Sequence, residues 1–104
     1  MRNKPTDSEL RKLPPYRSAD NIAPEDIIIH MHFFWRDWHW YIATYEPTHR
    51  VFFGYANLGD DDCAEWGSVP LQELEELNVA RDIEWQPVRF GETLEGQKYQ
   101  RRLA

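Results

Sequence analysis

A single cysteine, Cys63, stands in the 104 residues. That excludes an internal disulfide framework and fits a reducing compartment. No apolar stretch approaches the ~18 residues of a membrane span, and the opening MRNKPTDSEL carries no apolar signal-peptide core. The expectation is a soluble, cytoplasmic protein with no membrane partner. Only five glycines occur, and they are isolated, so there is no phosphate-cradling loop, no dinucleotide turn and no G-x-S-x-G elbow. C-x-x-C, H-x-x-x-H and H-E-x-x-H spacings are missing too, as are repeats and low-complexity tracts. The length allows one domain over residues 1–104 and no second core.

Aromatic side chains are abundant. Five Trp, five Tyr and five Phe can build a core without disulfides or metal. Seven of these rings and three histidines fall within HMHFFWRDWHWYIATYE at 30–46. The net charge of −6 is unevenly spread. Residues 1–45 balance to zero, whereas 46–96 set twelve acids against Arg50, Arg81 and Arg89, and 97–104 hold Lys98, Arg101 and Arg102. An anionic middle opposes binding of nucleic-acid phosphates and suits a basic protein partner, or simply a solvated surface.

Along the chain, Thr6 and Glu9 form a capping box for a short helix at 6–13, which Pro14-Pro15 end. Period-two alternation then marks strands at 27–34, 38–45 and 51–56 and a shorter one at 63–69. Ile27, Ile29, Met31 and Phe33 are expected on one face, as are Trp38, Trp40, Ile42 and Thr44, with Tyr45 on the reverse. Leu71, Leu74 and Leu77 make the apolar stripe of a helix over 70–77, with Ser68 as its cap and Asn78 as a left-handed C-terminal residue. DIEW at 82–85 reads as a last strand, and 88–104 as a loosely held tail beyond an ordered core of 6–87. The expected fold is α+β: an antiparallel meander of four to five strands, one helix packed on a face and a short N-terminal helix. The second face needs cover from the N-terminal helix, the tail or a second chain, so a homodimer is open.

The segments FFWRDWHWYIATYE, FFGYANLG, WGSVPLQELEEL and RDIEWQP, in that order, resemble an uncharacterised bacterial domain-of-unknown-function family of small mobile-element-associated proteins. The matching positions are Phe33-Phe34, Trp38 to Tyr41, Phe52 to Gly54, Gly67 to Glu75 and Arg81 to Pro87, with ELRKLPP as a similar opening. The resemblance spans about residues 8–87. Two positions depart from the pattern: Val69 stands where the family has an aromatic residue, and LNVA replaces a Gly-Pro turn. The resemblance implies carriage on plasmids or phages, sometimes beside antirestriction genes, and supplies no catalytic residues.

Candidate chemistries follow from residue types. His30 and His32, at i and i+2 on a strand, present both rings to one face, where His39, His49, Cys63 or Asp61 would have to complete a metal set or the base of a small hydrolase. Cys63 follows three aspartates, which disfavour its thiolate. Asp60 to Leu71 lacks the glycine and terminal glutamate of an EF-hand loop. Trp35, Trp38 and Trp40 at a hairpin could stack single-stranded bases, but only Arg36 and Arg50 are near in sequence. The expectation that unites these features is a small acidic, non-catalytic protein-binding module without cofactor or metal. Asp60, Asp61, Asp62, Glu65, Glu73 and Glu76 would bind a basic partner, as in a mobile-element inhibitor that imitates phosphates to block a host defence nuclease.

Overall fold

Period-two segments joined by short turns pair most readily with their sequence neighbours, and the computed structural model, which describes residues 1–103, forms that meander. Strands β2 (Met31–Trp35), β3 (Trp38–Glu46), β4 (Val51–Leu58) and β5 (Glu65–Pro70) pair antiparallel in sequence. A short β6 (Ala80–Arg81) adds to the free edge of β2, giving the order β5-β4-β3-β2-β6. A second sheet of two strands joins β1 (Ile28–Ile29) to β7 (Val88–Arg89). Helices α1 (Asp7–Arg11), α2 (Leu71–Glu76) and α3 (Leu94–Leu103) complete an α+β fold, and among the described residues no helix is long and apolar enough to cross a membrane.

Local chemistry sets several boundaries. Thr6 Oγ1 accepts from the Glu9 amide at 3.1 Å while Glu9 Oε1 accepts from the Thr6 amide at 2.9 Å, closing the capping box in both directions. Asn78 has φ +55° after α2, the left-handed residue that stops it. Ser68 does not cap α2: β5 runs on to Pro70, which precedes the helix without a side-chain cap, and the Ser68 hydroxyl meets Tyr16 Oη instead.

The sheet separates two apolar layers. One collects Leu10 of α1, Leu71 and Leu74 of α2, and Met31, Phe33, Trp40, Ile42, Tyr45 and Phe52 of the strands. The other holds Ala19, Ile27, Ile29, Tyr41, Ala43, Tyr55 and Phe90, with Trp66, Trp85 and Tyr99 packed against it. Both α1 and α2 therefore cover the first face, and the C-terminal segment covers the second.

Four expectations need correction here. The alternation through 27–34 breaks at His30, where the chain passes from the small sheet to the large one, so Ile29 and Met31 enter different layers. A register shift between Ile42 and Thr44 moves Tyr45 to the first layer, opposite to strict alternation. DIEW is no strand: Ile83 is 65% exposed, and the Trp85 indole N–H donates to the Ile29 carbonyl at 3.0 Å. Residues 88–103, expected to be loosely held, instead supply β7, a turn at Phe90–Glu92 and α3, with Phe90 wholly buried.

Candidate functional site

Where α3 folds back over β3 and β4, a cleft of about 510 Å³ opens, lined by Asp37, His39, Tyr41, Asn57, Asp61, Glu95 and Lys98 among others. Its walls follow from local structure. His39 and Tyr41 are alternate residues of β3 and so share a face. Asn57 lies on the same side of β4, opposite His39 in the ladder. Asp61 starts a one-turn 3-10 helix (Asp61–Cys63) just past β4. Glu95 and Lys98 are one turn apart on α3. Close approach of that helix needs Gly96, where a Cβ would stand 1.8 Å from the Phe90 carbonyl oxygen. Thr93 fixes the helix start: its hydroxyl donates to Phe90 O at 2.7 Å and accepts from the Gly96 amide at 2.8 Å.

A buried polar knot holds the cleft together. Asn57 Oδ1 accepts from the Gly59 amide at 3.0 Å, which orients the amide. Its Nδ2 then donates to Asp61 Oδ1 at 2.8 Å and to both Glu95 oxygens at 3.1 and 3.2 Å. Glu95 is only 6% exposed, so this donor is what makes its burial tolerable. Lys98 Nζ lies 3.0 Å from Asp61 and 3.7 Å from Glu95. Hydrogen bonds from Asn57 and then Lys98 hold the Asp61 carboxyl below its ordinary range. Burial, followed by the charge of Glu95, pushes the Tyr41 phenol upward, so it stays protonated.

Behind His39 runs a chain of three side chains. His39 Nδ1 and His32 Nε2 are 2.8 Å apart, and His32 Nδ1 lies 3.1 Å from Asp82 Oδ2. The two imidazoles are nearly coplanar, at 6°, with centroids 5.1 Å apart, which is an edge-to-edge bond and not a face-to-face stack. Asp82 is fixed in turn: its other oxygen accepts from the Glu84 amide at 3.1 Å, and its own amide donates to the His32 carbonyl at 2.9 Å. Burial lowers both histidines from their ordinary value; for His32 Asp82 opposes the effect, and for His39 Glu95 does.

The residues singled out from sequence are distributed as follows. His30 and His32 do not act together. His30 lines a separate small cavity with Ile22, Ile27 and Thr44, while His32 turns to Asp82 and His39. His49 is exposed on the β3–β4 turn beside Glu46. Among the described residues no three His, Cys, Asp or Glu side chains are grouped to hold a metal ion, so the His30/His32 centre does not form. Asp60, Asp61, Asp62 and Glu65 do lie close together. The Cys63 thiol is pushed up first by its hydrogen bond to Asp60, then by the charges of Asp60, Asp62 and Glu65. Glu73 and Glu76 sit apart on α2, over the first layer, and the cleft faces the second.

The tryptophans pack against the two apolar layers. Each of the fifteen aromatic side chains is buried or partly buried. Trp40 is buried, and Trp35 and Trp38 meet edge-on and pack against the first layer, with the Arg36 guanidinium 4.5 Å over Trp35. Sequence reasoning missed Glu95, Asn57, Lys98 and Asp82. An acid–Lys pair at i, i+3 in 88–104 was the one available signal. No protein-family model matches the chain, and comparison with curated proteins and with solved structures finds no match.

Proposed function

We propose that the protein binds a partner with a basic surface, seating a lysine or arginine of that partner in the acid-lined cleft. The observation that carries this reading is the convergence of Asp37, Asp61 and Glu95, from three separate segments, on one cleft in which Lys98 is, among the described residues, the only lysine or arginine. Asp60, Asp62 and Glu65 extend the negative rim along the β4–β5 connection. A guanidinium or ammonium entering such a depression gains charge-assisted hydrogen bonds in a partly desolvated setting, the pattern of an interface anchor. In its most specific form the partner is a nuclease of host defence. The phosphate-like row then consists of Asp60, Asp61, Asp62 and Glu65, with Glu73 and Glu76 outside it.

Titration calorimetry with an arginine-rich peptide tests the reading. Binding is expected to weaken steeply between about 50 and 200 mM salt, because exposed charge pairs are screened over ~8–10 Å. Asp60→Asn/Asp61→Asn/Asp62→Asn should lose at least about tenfold in affinity, roughly 1.4 kcal/mol. Unchanged affinity in that variant overturns the reading.

A further inference from the structure

The direction of the hydrogen bonds behind the cleft decides what His39 presents to it. Asp82 Oδ2 is a carboxylate acceptor, so a neutral His32 carries its proton on Nδ1 and leaves Nε2 as a lone pair. That lone pair, 2.8 Å from His39 Nδ1, can only accept, so His39 holds its own proton on Nδ1. Its Nε2 is then unprotonated, and His39 lines the cleft. Burial favours the neutral forms that this order requires. Tyr41 lines the same cleft with a protonated phenol, and Lys98 supplies an ammonium.

We propose that Asp82, His32 and His39 form a general-base relay, and that the cleft hydrolyses esters that are cationic or neutral. His39 Nε2 takes a proton from a water molecule, and the water oxygen bonds to the acyl carbon. Tyr41 and Lys98 are the donors available to the carbonyl oxygen as it gains charge. When the bond from the acyl carbon to the leaving oxygen breaks, His39 returns the proton to the departing alcohol, so no other reactant is needed. Asp37, Asp61 and Glu95 repel an anionic ester. His39 is the catalytic residue; His32 and Asp82 are positioning residues that set its tautomer. The inference goes beyond partner binding and rests on the same cleft.

Hydrolysis of p-nitrophenyl acetate tests it, with free imidazole at equal concentration as reference. The wild type should exceed imidazole by roughly a hundredfold, the lower end of what a positioned base contributes. His39→Gln should remove the excess and still bind the arginine-rich peptide, and Asp82→Asn should lower kcat with little change in KM. In a pH-stat, acetylcholine should be cleaved faster than the anionic monomethyl succinate. Nitrogen-15 spectra of the imidazoles should show both His32 and His39 protonated on Nδ1, a readout independent of turnover. A wild-type rate no better than imidazole, or one unchanged by His39→Gln, overturns the relay and leaves peptide binding standing. A His39 proton on Nε2 overturns it equally. Loss of peptide binding in an Asp60→Asn/Asp62→Asn/Glu65→Gln variant, whose three positions lie outside the cleft lining, with hydrolysis retained supports the relay independently of the acidic rim.

Discussion

Replacing Phe90 by alanine probes the element that closes the cleft. The ring is fully buried among Trp66, Tyr55, Tyr99 and Tyr41, with centroids 4.7, 4.9, 5.7 and 6.3 Å away. It joins the segment after β7 to the second layer of the core. Truncation removes the transfer free energy of the ring and leaves a cavity between four other rings that cannot collapse freely. The expected cost is about 4 kcal/mol, from the ~3–5 kcal/mol range for buried Phe→Ala. A domain of this size holds about 5–15 kcal/mol in all, so the variant should fold but with little margin. At ~4–8 °C per kcal/mol the midpoint should fall by about 15–30 °C. Urea unfolding followed by tryptophan fluorescence gives the free energy, and hydrogen exchange shows where it is lost. Amides of α3 should exchange far faster, while those pairing β3 to β4 quicken only as far as global stability falls. A loss below about 1 kcal/mol, the range of a surface substitution, would refute the docking of the C-terminal segment and with it the cleft.

Glycine substitutions give a paired contrast: Gly96→Ala forces a Cβ against Phe90 O and should cost about 1–3 kcal/mol in a thermal melt, whereas Gly67→Ala enters open space and should cost under about 0.5 kcal/mol on steric grounds. Burial lowers His30, His32 and His39 from 6.5, so the unfolded chain binds more protons than the native one just below that value. Their contribution to stability is complete above about pH 6.5 and is lost as the pH falls towards the lower native values; a urea midpoint that stays flat or rises on acidification from about pH 7 to 6 contradicts this. Cys63 is exposed, yet its thiol is raised by Asp60. Alkylation at neutral pH should be slower than that of free cysteine and faster in Asp60→Asn, and wild-type reaction at the free-cysteine rate would contradict the effect.

What could be read from sequence was what local rules or period decide. The capping box at Thr6–Glu9, the left-handed Asn78 and the α2 stripe each involve residues within one turn, and each formed as expected. The meander followed because consecutive alternating strands have short turns between them. The break at His30 and the shift at Ala43 were hidden, because both faces of these strands carry apolar residues, so the pattern looks the same whichever layer each one enters. The helix α3 was hidden for a different reason. Its leucines Leu94 and Leu103 face solvent at 82% and 71% exposure, and its inward side is made of Glu95 and Gly96, which are buried, with the single ring of Tyr99 packed beside them. A stripe defined by a hydrogen-bonded carboxyl and a missing side chain has no hydrophobic period to detect. The cleft was invisible for that reason, since its closing wall, with Glu95 and Lys98, comes from α3.

The most direct test of the central claim is a nitrogen-15 correlation spectrum of the protein recorded as the arginine-rich peptide is added. Shifts are predicted to concentrate at Asp37, at Asn57 to Asp62 and at Leu94 to Lys98, the segments that enclose the cleft. Shifts gathered on α2 or around Trp35 and Trp38, with the cleft amides unmoved, would contradict the account.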